Sequence, residues 1–232
     1  MARRDTHPVW HAWGPALVLM ALGATGYLVT LGWVSDESSL WQLDDPILEW
    51  FAAHRTMAMT SFMVAVSWVF GPVVLPILVA IGGAIWGVRT GQWFNVAVVV
   101  GSMLAAAALS FILKIVVNRP RPSIEYWQEP GGASLASFPS GHTLCAATLV
   151  LVTGYLAWRT DRSLKVLVWW SVGAVFITAT VAISRLYLGY HFLTDVIAGT
   201  FCAVFVLGIA VGVVRTHDAR LRDRAVASPS RA

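Results

Sequence analysis

Several polar residues stand where apolar runs begin or end, and their types suit phosphate chemistry. Lys114 lies amid Phe111, Ile112, Leu113 and Ile115, and Arg119 and Arg121 follow at once. Ser140-Gly141-His142 opens a second apolar run, Ser184-Arg185 closes a third, and His191 and Asp195 stand four apart at the start of a fourth. A lysine with two or three arginines makes an anion site, since guanidinium forks match phosphate oxygens and lysine adds a point charge. Backbone N–H groups after Ser140, at a helix start, would face the same anion, and Gly141 permits close approach. Two histidines supply what phosphoryl transfer needs, a nucleophile or base and an acid. Asp195, one helical turn from His191, can hold one imidazole nitrogen and leave the other aimed at substrate.

The elements that must position these groups are membrane spans. Of the 232 residues, 57% are hydrophobic and 12% charged, with a mean hydropathy of +0.69. Soluble domains carry about 25% charged residues. A soluble enzyme, a disordered chain and a disulfide-stapled secreted domain are excluded. The two cysteines, Cys145 and Cys202, sit in apolar runs and read as buried free thiols. No metal-ligand spacing appears, and no cofactor is expected.

The expected fold is all-α, a polytopic six-transmembrane-helix bundle with a short interfacial helix between the first two spans. The spans fall at about 13–34, 57–88, 93–117, 142–158, 166–183 and 192–214, with 215–232 a frayed tail, all in one membrane-embedded domain. Arg3 and Arg4 before an apolar stretch resemble a signal peptide, but Trp13–Val34 is 22 residues, longer than a usual h-region, and reads as an uncleaved span. Asp45-Pro46 looks like a cap and first helical residue, starting an interfacial helix over Ile47–Arg55. The 57–88 segment is interrupted by Gly71-Pro72 and is read as one crossing, either a kinked helix or a partial helix followed by a span. Prolines and Gly131-Gly132 mark 118–132 as a loop.

Charge sets the orientation. Counting 57–88 once puts Arg3, Arg4, Arg89, Arg159, Arg162, Lys165, Arg215, Arg220, Arg222, Arg224 and Arg231 on one side, against Arg55, Lys114, Arg119, Arg121 and Arg185 on the other. Both termini are therefore expected in the cytoplasm. The net charge of +4 is a topology signal and gives no hint of nucleic acid. Tryptophans 10, 13, 86, 93 and 158 at one interface, and 33 and 127 at the other, fit aromatic belts, as do Tyr187 and Tyr190. In this topology Lys114, Arg119, Arg121, Ser140, Gly141, His142, Arg185, His191 and Asp195 all fall at the outer face. Intramembrane charge is costly, so such a gathering points to function.

The arrangement resembles the type 2 phosphatidic acid phosphatase family, which includes vanadium haloperoxidases. The family's three motifs stand here as Lys114-x6-Arg121-Pro122, Pro139-Ser140-Gly141-His142 and Ser184-Arg185-x5-His191-x3-Asp195, in order and spacing. The resemblance covers 114–195, and the six-span layout extends it over most of the chain. It implies a metal-independent phosphohydrolase of the plasma membrane. His191 would form a phosphohistidine, Asp195 would orient it, and His142 would protonate the leaving oxygen and then activate water. Lys114, Arg121, Arg185, Ser140 and Gly141 would hold the phosphate. Candidate substrates are phosphatidic acid, phosphatidylglycerol phosphate and polyprenyl pyrophosphate, and the apolar walls suit a lipid tail entering sideways.

Each residue alone has a structural explanation. Lys114 could snorkel, Arg119 and Arg121 could meet headgroups, Ser140 could cap a helix, and His191 with Asp195 could form a structural bond. Arg119 is two residues short of the motif spacing and is secondary. Jointly these explanations leave the convergence unaccounted for. Two other functions compete. A rhomboid-like intramembrane serine protease would use Ser140 and His191, but Phe138 stands where that family has glycine, and the basic residues gain no role. An anion transporter would use the cations, but these cluster at one face and no matched broken helices occur.

Overall fold

The structure, a computed structural model, describes residues 10–128 and 136–227. Arg3, Arg4, Gly131, Gly132, Arg231 and the side chain of Trp10 lie outside what it describes. The described residues are helical with connecting loops and no strand. Helix α1 spans Trp10–Ser35, and a 3-10 turn over Ser39–Leu43 leads into α2, Asp44–Ala53. Next come α3 (Met57–Val69), α4 (Val74–Thr90), α5 (Trp93–Val117), α6 (Gly141–Thr160), α7 (Leu164–Tyr187) and α8 (Leu193–Ala227).

Among the described residues, five helices are long and apolar enough to cross a membrane, and α3 with α4 forms a pair bent by 56°. Counted as one crossing, the pair brings the total to six. The 57–88 segment is thus two helices rather than one kinked rod. Gly71 and Pro72 lie in the break, and proline cannot donate the N–H that would continue the ladder. Two other expectations are corrected. The interfacial helix starts at Asp44 and ends at Ala53, and its N-cap is Leu43, whose side chain has no acceptor, in place of Asp45. Helix α8 runs on to Ala227, well past the expected end at 214.

Helices α6 and α8 form the centre, and α1, α5 and α7 pack around them. Large apolar side chains such as Leu22, Ile81, Phe111, Trp169 and Phe176 are exposed, as lipid-facing positions require. The α1–α8 seam depends on small residues. A Cβ at Gly23 would lie 2.5 Å from the Phe205 backbone nitrogen, and one at Gly208 would lie 2.8 Å from the Ala16 carbonyl. Glycine there lets the backbones approach, which drives helix association in lipid. Below the site, Ala106, Leu144, Cys202 and Val206 fill the bundle. Of the two cysteines, Cys202 is buried and Cys145 is half-buried, and both are free.

Candidate active site

The end of α5, the starts of α6 and α8, and the end of α7 meet at one end of the bundle, and each delivers its polar group there. Lys114 is buried in the last turn of α5, and its ammonium donates to the carbonyls of Ala136 (2.5 Å) and Ser137 (3.1 Å). That ties the loop before α6 to α5. The α5 helix ends at Asn118 in the left-handed region (φ 47°), and the Pro-rich turn that follows presents Arg119 and Arg121. Asparagine tolerates that backbone conformation better than most residues.

Ser140 is the N-cap of α6 but makes no side-chain cap bond. Its N–H donates to the Asp195 carbonyl at 2.9 Å, and its hydroxyl accepts from Thr143 at 3.1 Å. A Cβ at Gly199 would stand 2.7 Å from the Ser140 carbonyl, so the close seating of α6 on α8 requires glycine there. The N–H groups of Gly141 and His142 open α6 and have no intrahelical acceptor, which leaves them for an anion. His142 lies within electrostatic reach of Arg185, His191, Arg121 and Lys114.

His191 is 1% exposed and Asp195 has no exposed surface. The Asp195 Oδ2 lies 3.2 Å from His191 Nδ1 and accepts the Phe192 N–H at 2.9 Å. On its other side, His191 Nε2 lies 3.4 Å from Arg121 Nη1. A guanidinium only donates, so Nε2 is the acceptor and the ring proton sits on Nδ1, facing the carboxylate. The unprotonated nitrogen therefore faces Arg121. Burial holds the His191 imidazole well below the ordinary histidine range, and Arg121, Arg185 and Lys114 push the same way against a hydrogen bond to the Ser137 backbone. Arg121 also donates to the Tyr190 carbonyl at 2.8 Å. Arg185 donates to the Ser67 hydroxyl of α3, and its guanidinium lies 4.5 Å from the Tyr190 ring centroid.

All eight expected site residues thus gather at one face. No hydrogen bond joins Ser140 to His191: the Ser140 oxygen accepts from Thr143, and the two His191 ring nitrogens lie against Asp195 and Arg121. Tyr187 and Tyr190 are buried, not belt residues. The Tyr187 hydroxyl meets the Thr56 N–H and Thr60 hydroxyl at 3.0 Å each, and the Tyr190 ring lies beside Trp127 and under Arg185.

Sequence reading missed Ser67 and Gly71, which the α3–α4 break brings to the site; a Cβ at Gly71 would lie 3.7 Å from His142 Nε2. It also missed Asp44 and Thr194, and it kept Arg119 secondary. Arg119 donates to Asp195 Oδ1 (2.8 Å), Thr194 Oγ1 (2.7 Å) and Asp44 Oδ2 (2.8 Å). The repeated Arg-Pro at 119–120 and 121–122 was the one available signal for it. Among the described residues, no three of His, Cys, Asp and Glu come together so as to hold a metal ion.

The family model of the PAP2 superfamily matches residues 95–219. Phosphatidylglycerophosphatase B of Bacillus subtilis is 33% identical over 129 residues, covering 54% of this chain and 60% of that protein. The Escherichia coli protein of the same name is 33% identical over 95 residues, covering 40% of this chain and 34% of that one. The match thus spans less than two thirds of either relative. The crystal structure of a transmembrane PAP2-type phosphatidylglycerolphosphate phosphatase from B. subtilis superposes with a TM-score of 0.72 at 24% identity, over 83% of this chain and 96% of that one. Aquifex aeolicus LpxE gives 0.55 at 21% identity, over 75% and 94%. Both share the fold. With six crossings, the three motifs gathered at one face and more than half its length matched, the chain belongs to the PAP2 superfamily.

Proposed function

We propose that this chain is an integral-membrane lipid phosphatase working through a phosphohistidine. The observation that carries this reading is the His191 Nε2 lone pair facing Arg121, with Asp195 behind the ring and Arg185 and Lys114 within electrostatic reach of the imidazole. His191 Nε2 attacks phosphorus, and the bond from phosphorus to the lipid oxygen breaks. His142 gives that oxygen a proton, then takes one from the water that cleaves the N–P bond. The three cations and the first N–H groups of α6 bear the charge on the phosphoryl oxygens, so catalysis is mostly positioning and electrostatics. Asp195 stabilises the positive ring of the intermediate. No metal or cofactor takes part in these steps.

The substrate we favour is phosphatidylglycerophosphate, following the names of the B. subtilis and E. coli relatives. Phosphatidic acid and polyprenyl pyrophosphate offer the same headgroup chemistry. Exposed apolar faces on both sides of the α3–α4 break suit a lipid tail entering sideways. We further propose a single domain over 1–232 in the plasma membrane, with both termini cytoplasmic and the site at the outer face. Supporting this, Arg89 and Arg159 lie in the last turns of α4 and α6, and Arg162 lies in the short α6–α7 connection, all at the end of the bundle opposite the site. The test is phosphate release from a panel of these lipids by purified protein in detergent with EDTA. Release blocked by vanadate and lost in His191→Ala supports the reading. Release abolished by EDTA, or retained in His191→Ala, contradicts it.

A further inference from the structure

Behind the proposed nucleophile lies a buried ion network that reaches the interfacial helix. Asp44, the first residue of α2, is 2% exposed. One of its oxygens accepts the Thr194 N–H at 2.9 Å; the other accepts the Thr194 hydroxyl at 2.6 Å and Arg119 at 2.8 Å. It thus caps the start of α8 from a different element, taking a backbone donor that has no partner within its own helix. Arg119 forks between this carboxylate and Asp195, and its ring-facing side lies 4.3 Å from the Phe192 centroid.

We propose that Asp44 and Arg119 are positioning residues for phosphoryl transfer, setting the orientation and the effective charge of Asp195 behind His191. Charge balance requires both residues. A lone Arg119 against Asp195 would cancel the carboxylate that must stabilise a positive His191. Asp44 returns one negative charge, so the Asp44–Arg119–Asp195 group carries a net of −1 toward the ring. The fork also engages Asp195 Oδ1 and leaves Oδ2 for His191 and the Phe192 N–H. Breaking one member of a buried network of this kind exposes the others to uncompensated charge.

This inference rests on the phosphatase reading, and the test separates the two. The variants are Asp44→Asn, Arg119→Gln and the double variant, assayed as full chains in detergent with thermal unfolding measured alongside. The groups facing His191 are Asp195 on α8, Arg121 in the α5–α6 loop, Lys114 on α5, Arg185 on α7 and His142 on α6; Arg119 reaches it through Asp195. Asp44→Asn leaves the group neutral. Its kcat should fall by about 10- to 100-fold, the range seen for outer partners of functional histidines. KM should stay within about twofold, because the phosphate-holding cations are untouched. The acid limb of its kcat/KM profile should move to lower pH, and inhibition by vanadate should weaken in parallel with kcat. Arg119→Gln leaves −2, and its acid limb should move to higher pH. The double variant restores −1, so its acid limb should return to the wild-type position and its kcat should exceed that of Asp44→Asn. A merely structural role predicts additive losses and no opposed shifts, and that outcome overturns the proposal. So does wild-type kcat in Asp44→Asn. If Asp44→Asn does not fold, the double variant compared with Arg119→Gln decides by the same shift. Loss of phosphate release in the wild-type protein would instead refute the phosphatase reading itself.

Discussion

Replacing Asp195 by asparagine keeps the shape and removes the charge, and the surroundings dictate the consequence. The carboxylate serves four donors: Arg119 and Ser137 on Oδ1, and Phe192 N–H and His191 Nδ1–H on Oδ2. An amide has one acceptor oxygen. Placed at Oδ2, it keeps Phe192 and His191 but turns its NH2 on a guanidinium. Placed at Oδ1, it keeps Arg119 but turns its NH2 on His191 Nδ1, which must then accept. The ring proton moves to Nε2, facing Arg121, and the nucleophilic lone pair is lost. In either orientation the charge that stabilises the phosphohistidine is gone. The expected loss in kcat is at least about 100-fold from charge alone and up to about 10,000-fold if the tautomer switches. The larger figure corresponds to about 5.5 kcal/mol in the barrier. Stability should fall far less, because Arg119 keeps Asp44 and Thr194; one lost charge-assisted bond costs about 1.5–3 kcal/mol. The assay is phosphate release from phosphatidylglycerophosphate in detergent, paired with thermal unfolding. A folded Asp195→Asn protein with kcat within tenfold of wild type would refute the assignment of Asp195.

Four further outcomes are expected. His191 is held well below the ordinary histidine range by burial first and by neighbouring cations second, so the acid limb of kcat/KM should lie below about pH 6.5. The same shift means that the folded chain binds fewer protons than the unfolded one, so its contribution to stability is complete above about pH 6.5 and is lost as pH falls; acid unfolding should be milder in His191→Gln. At Gly189 (φ 79°) a Cβ would lie 2.1 Å from the Tyr126 carbonyl, so Gly189→Ala should lower the melting temperature and cut activity through the adjacent Tyr190–His191 segment. Gly208→Leu should separate α1 from α8, since even a Cβ meets the Ala16 carbonyl at 2.8 Å; the check is loss of monodisperse protein on size exclusion.

What the sequence made legible follows from the physics of each feature. Apolar runs report lipid directly, so α5 spans Trp93–Val117 as read. Charges inside such runs are too costly to be incidental, which made Lys114, Arg185 and the His191–Asp195 pair visible. The break at residues 70–73 was flagged by Gly71-Pro72, but a linear string does not show that it carries Ser67 to Arg185. Asp44 was invisible for another reason. An acid before Asp-Pro in a polar loop resembles a local cap, and only the fold brings it against Arg119 and Thr194. Tyr187 and Tyr190 were misread because belt tyrosines and site-lining tyrosines have the same sequence surroundings at a span end. The helical run to Ala227 contains Arg220, Arg222 and Arg224, and high charge in that stretch looked like a frayed tail although arginine is a good helix former.

The most direct test is to trap the intermediate. Purified protein in detergent with EDTA is mixed with phosphatidylglycerophosphate, quenched in alkali within one turnover and mapped by peptide mass spectrometry. Phosphate should be found on His191, absent from His191→Ala and strongly reduced in Asp195→Asn. Phosphate on Ser140, or full turnover in His191→Ala, would contradict it.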